Sequence, residues 1–89
     1  MNQATTNGPA WRELKGTGMV KGARYFTADL PGNVTLWVEY YPDRGRPWTV
    51  DVARGNAWVA RDEDGGTTLA TAKRRAMDLA TMRRVEVVR

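Results

Sequence analysis

The stretch from Val34 to Tyr41, "VTLWVEYY", follows directly on Leu30-Pro31-Gly32-Asn33 and constrains the chain more than any other segment. Val34, Leu36, Val38 and Tyr40 alternate with Thr35, Trp37, Glu39 and Tyr41, the period-two pattern of a strand with one face buried. Pro31 presets the first corner of a tight turn, and Gly32 supplies the positive φ that the second corner needs. The residues from Met19 to Leu30 therefore read as an extended partner in a hairpin. If Pro31-Gly32 is a two-residue corner, Leu30 faces Asn33, Phe26 faces Trp37 and Arg24 faces Glu39. That register would place Phe26, Trp37 and Tyr41 on one face, with Arg24 and Glu39 among them.

Two further strands follow. "PDRGRP", Pro42 to Pro47, is a turn, and Trp48, Val50 and Val52 alternate with Thr49, Asp51 and Ala53. Arg54-Gly55-Asn56 is a third turn, and Ala57 to Arg61 is a fourth strand ending in the acidic loop Asp62 to Gly66. A helix then starts near Thr67 or Thr68, since threonine is a good N-cap and the preceding carboxylates suit a helix N-terminus. It runs to about Met82. Leu69, Ala72, Ala76, Leu79 and Ala80 form its apolar stripe, with Thr71, Arg74, Arg75 and Asp78 opposite. The expected fold is α+β, a four-stranded antiparallel sheet with one C-terminal helix on one face, in the order β-β-β-β-α. Residues 1–10 read as a disordered tail, 11–84 as a single domain, and 85–89 as a short tail or edge strand. Trp11 to Lys15 reads as a short amphipathic piece with Trp11 and Leu14 as anchors, able to fold over the aromatic face of the sheet.

Composition narrows the chemistry. The 89 residues contain no His, no Cys and no Ser. Imidazole bases, thiolate and serine nucleophiles, disulfides and the usual zinc sites are thereby excluded. The three adjacent carboxylates Asp62, Glu63 and Asp64 lack calcium-loop spacing, so they read as a solvated loop. No glycine cluster forms a phosphate-binding or dinucleotide fingerprint. The reading is non-enzymatic, with no metal and no cofactor. No run approaches a membrane span, and a cytoplasmic setting is expected.

Net charge is +4, with 11 Arg against 3 Lys. Arginine suits phosphate and carboxylate forks and stacks on aromatics. Arg-rich, Ile-free usage also follows from a GC-rich source such as an actinobacterium, its phage or a plasmid. The candidate contacts are Arg44, Arg46, Arg54 and Arg61 in and beside the turns, the run Lys73, Arg74 and Arg75 on the helix, and Trp37, Tyr41 and Trp58 for stacking or packing. They point first to a small protein that contacts nucleic acid. The alternatives are a phage- or plasmid-encoded accessory or inhibitor that binds a host protein, and a protein that sequesters a small ligand or nucleotide. A homodimer could also bury the aromatic face.

The segment from Pro47 to Ala80 resembles the C-terminal half of double-stranded RNA-binding domains. Thr68 stands where that family's helix opens with Ser, and Ala72-Lys73, Ala76 and Ala80 match its Ala-Lys and packing alanines. Leu69 and Ala70 occupy the places of its paired lysines. The resemblance implies two strands followed by a packed helix, with Lys73 toward phosphate. Leu36 to Trp48 is similar to the Trp-containing strand and basic turn of arm-type DNA-binding domains of phage integrases, which lay a three-stranded sheet into the DNA major groove.

Overall fold

The structure is a computed structural model that describes residues 9–14 and 20–88, with side chains described as far as Thr81. Most of the expected tail, and the glycine-rich stretch 15–19, lie outside the described residues. Five strands, β1 (Arg12–Leu14), β2 (Arg24–Leu30), β3 (Val34–Tyr40), β4 (Trp48–Arg54) and β5 (Ala57–Asp64), precede one helix, α1 (Leu69–Val88). The strands form an antiparallel meander in the order β1-β2-β3-β4-β5. The α+β class and the helix on one face match the sequence reading, but the sheet has five strands, not four. The additional strand is Arg12–Leu14, which pairs with Tyr25 to Thr27. Its three residues carry too little pattern to read as a strand, and only the neighbouring edge of β2 makes it one.

The hairpin register also differs from the sequence expectation. Asn33 has φ 64 and joins Gly32, φ 85, in the left-handed region. The loop is therefore Pro31-Gly32-Asn33, three residues long. Asn tolerates this conformation better than other side chains. Leu30 pairs with Val34, Phe26 with Val38 and Arg24 with Tyr40. The one-residue shift moves Phe26 and Arg24 from the aromatic face to the helix side and brings Tyr25 to the open face.

The core lies between the sheet and α1. Val34, Leu36, Val38, Val50, Val52, Phe26 and Trp48 are buried against Ala72, Ala76 and Ala80. Alanines at this spacing let the helix lie close to the strands. Thr68 caps the helix, its Oγ1 accepting from the Thr71 N–H at 3.1 Å, which satisfies one otherwise orphaned donor. No Gly or Pro occurs after Gly66. The backbone accordingly stays helical through Val88, beyond the expected end near Met82 and through most of the segment read as a tail or edge strand.

β5 continues to Asp64, into the segment expected to be the acidic loop Asp62 to Gly66. It pairs irregularly with β4: Val52 faces Ala60 and Val50 faces Glu63, so Arg61 and Asp62 together oppose Asp51. This is a β-bulge, with Asp62 at φ 54. No helix among the described residues is long and apolar enough to cross a membrane.

Candidate functional site

The chain's eight aromatic residues divide equally between the two faces of the sheet. On the helix side Trp11, Phe26, Tyr40 and Trp48 pack on or within the core, with ring centroids 6.4 Å apart for Phe26–Trp48 and 4.7 Å for Tyr40–Trp48. On the open face Tyr25 meets Tyr41 edge-on at 6.0 Å, and Trp37 meets Trp58 at 5.7 Å. Trp58 remains 50% exposed. The expected aromatic face therefore exists, with Tyr25 in place of Phe26. Trp11 does not fold over it. Trp11 lies on the helix side beneath the Lys73 ammonium, 5.5 Å from the ring centroid, because it shares the parity of Glu13, which pairs with core-side Phe26. Leu14 has the opposite parity and lies beside Tyr25 on the open face, at the sheet edge.

Between the aromatic pairs is a depression of about 620 Å3 lined by Glu39, Tyr41, Arg44, Asp51, Trp58, Arg61 and Asp62. Its position follows from the register. Glu39 pairs with Thr49 and Trp37 with Asp51, so Glu39 and Asp51 are diagonal neighbours on one face. The β5 bulge brings Asp62 to the same place, where its N–H donates to Asp51 Oδ1 at 2.6 Å. Tyr41 donates its hydroxyl to Glu39 Oε1 at 3.1 Å.

Two carboxylates at close quarters resist double ionisation. Burial pushes the Glu39 carboxyl above its ordinary range. The neighbouring Asp51 adds to that shift, while the Tyr41 hydroxyl and the Arg44 charge oppose it. The Tyr41 phenol is also raised, first by burial and then by the Glu39 charge. The rim is cationic. The Arg44 guanidinium lies 3.9 Å from the Tyr41 ring centroid and that of Arg61 4.7 Å from the Trp58 centroid. Stacking of this kind shields aromatic faces and is favourable by about 0.5–1 kcal/mol at exposed sites.

The candidate contact residues are not gathered into one surface. Trp37, Tyr41, Trp58, Arg44 and Arg61 meet at the open face. Arg46 lies beside it, in an ion pair with Asp62 at 3.5 Å. Arg54 ends β4 opposite Val34, on the helix side. Lys73 is half-buried over Trp11 and Phe26, and Arg74 and Arg75 are exposed on α1. The helix run and the aromatic face thus lie on opposite sides of the sheet. Arg12 pairs with Asp29 and Arg24 with Glu13, so several cations are matched by nearby carboxylates. Sequence reasoning placed Glu39 on this face without naming it a contact residue, and missed Tyr25, Asp51 and Asp62 as members of the site. Alternation in β3 and β4 put Glu39 and Asp51 on the Trp37 face, but the bulge that adds Asp62 has no clear signature in "ARDEDGG".

Compared with protein-family models, with curated proteins and with solved structures, the chain matches none.

Proposed function

We propose that this chain is a non-enzymatic binding protein that docks a partner protein on the open face of its sheet. The observation that carries this reading is the composition of that face. Tyr41 and Trp58, with Tyr25 and Trp37 beside them, flank a depression lined by three carboxylates and two guanidiniums. Aromatic residues and arginine are the side chains most enriched at protein interfaces and their hot spots. A phosphate-tracking surface is expected to be uniformly positive, whereas here Glu39, Asp51 and Asp62 occupy the centre. A host protein is the alternative in the sequence reading, which points first to nucleic acid.

A second reading, single-stranded nucleic acid, has one specific observation in its favour. Arg44 and Arg61 lie on aromatic rings, and neither is in a salt bridge among the described residues. Rings and cations so placed could stack bases and meet phosphates. One experiment separates the two. The chain and its Trp37→Ala/Trp58→Ala variant are used as baits, a retained protein is identified and purified, and binding is then measured with both purified components. The expected result is a complex that the double variant loses and whose affinity changes little between low and moderate salt. Tight binding of single-stranded oligonucleotides that collapses with added salt, with no protein complex, would overturn the protein-docking reading.

A further inference from the structure

The depression on the open face has an unusual charge for this molecule. The chain as a whole is +4, yet the lining carries Glu39, Asp51 and Asp62 against Arg44 and Arg61. Asp62 is engaged by Arg46 at 3.5 Å. Neither Glu39 nor Asp51 takes part in a salt bridge among the described residues. Glu39 accepts from the Tyr41 hydroxyl and Asp51 from the Asp62 N–H, and the two carboxyls lie within hydrogen-bonding reach of each other. A carboxylate has about four acceptor positions, so both retain unused capacity.

A second observation lies on the same face. Thr49, directly across from Glu39, is 1% exposed, and its hydroxyl makes no hydrogen bond. A buried hydroxyl without a partner is costly, and it places one unsatisfied polar atom beneath this face, beside Glu39 and outside the lining of the depression. The walls are aromatic: Tyr41 on one side, and Trp58 backed by Trp37 at 5.7 Å on the other. The two lining arginines do not fill the floor. Their guanidiniums lie against the Tyr41 and Trp58 rings and form the rim.

Paired carboxylates between aromatic walls are complementary to a flat or compact cation that donates several hydrogen bonds. We infer that this depression receives a basic side chain, arginine before lysine, from the protein docked on the open face. A guanidinium can donate to both carboxylates at once, whereas an ammonium is a point charge. The raised Glu39 carboxyl agrees with this geometry, since an incoming cation relieves the repulsion between Glu39 and Asp51. The inference rests on the protein-docking reading and specifies which partner residue anchors it.

The probe is the peptide acetyl-Gly-Arg-Gly-amide, with the citrulline peptide as its neutral isostere and a lysine peptide alongside. Binding is followed by NMR on the full chain through the indole N–H signals of Trp58 and Trp37. The arginine peptide is expected to shift Trp58 saturably, the lysine peptide more weakly, and the citrulline peptide not at all. Glu39→Gln/Asp51→Asn, which preserves side-chain size, should weaken the arginine peptide about tenfold, a change of about 1.4 kcal/mol. Comparing the peptides on the unaltered chain keeps the test valid even if the variant folds poorly. Equal shifts from arginine and citrulline, or no saturable shift with arginine, would overturn the inference. A partner complex that the acid-pair variant leaves unchanged would also overturn it while sparing the docking reading. Peptide binding by a chain that forms no protein complex would instead count against the docking reading.

Discussion

Replacing Phe26 by alanine tests the register on which the open face depends. Phe26 is 5% exposed on the helix side, opposite Val38, with its ring 6.4 Å from Trp48. The Arg24 guanidinium carbon is 5.0 Å and the Lys73 ammonium 5.7 Å from its centroid. Truncation removes the transfer free energy of the ring and leaves a cavity, and Phe→Ala in a core typically costs about 3–5 kcal/mol. Loss of the two cation–ring contacts adds to this, at up to about 0.5–1 kcal/mol each where exposed. A domain of this length has a total stability of about 4–13 kcal/mol, so the substitution removes a large share. Since 1 kcal/mol shifts Tm by about 4–8 °C in a domain of this size, a fall of at least about 12 °C is expected. Urea and thermal unfolding followed by far-UV circular dichroism measure it. A loss below about 1 kcal/mol would refute the reasoning, because it would place Phe26 on the solvent side. That is where a two-residue turn at Pro31-Gly32 would have put it.

Three further substitutions test the acid pair and the entry to α1. The Glu39 carboxyl titrates above its ordinary value of 4.5 in the folded chain, so the unfolded chain gives up this proton first as pH rises. Glu39 therefore lowers stability progressively across the window between the unfolded and folded values, and its full cost is present above that window. Glu39→Gln keeps an acceptor for Tyr41 and removes the charge beside Asp51 and Arg44. Its Tm advantage over the parent should grow from about pH 4 to pH 7, and a constant or shrinking difference would contradict the acid-pair geometry. Gly66→Ala and Gly32→Ala form a matched pair, with φ near +87° and +85°. Both incur the left-handed penalty of about 1–2 kcal/mol, but at Gly66 the new Cβ would also come within 2.6 Å of Thr71 Cγ2, whereas at Gly32 nothing lies within 4 Å. Urea titration should show Gly66→Ala to be the more damaging by at least about 1 kcal/mol.

What could be read from the sequence follows how local each cause is. The alternation in β3 and β4 and the Ala72, Ala76, Ala80 stripe are fixed by spacing along one segment, and they emerge in the structure as read. Thr68 announces the start of the helix by the same kind of local chemistry. β1 could not be read, because three residues acquire strand geometry only from the edge they meet. The bulge at Arg61-Asp62 likewise belongs to the pairing of two strands and not to either alone.

The functional face depends on a finer detail than any of these. Which aromatics it contains was set by Asn33, a single residue whose left-handed φ lengthens the turn from two residues to three. With a two-residue turn, Phe26 would have stood beside Trp37 and Tyr25 would have gone to the core, and the face would have carried Arg24 near Glu39. The actual register sends Arg24 to Glu13 on the helix side and leaves Glu39 without a cation at salt-bridge distance among the described residues. The acid pair with Asp51 owes its lack of such a partner to that displacement. A sheet face that loses Arg24 by one step of register becomes complementary to another chain's arginine, and that is why the turn residue Asn33, remote from the depression, helps decide what the depression can bind.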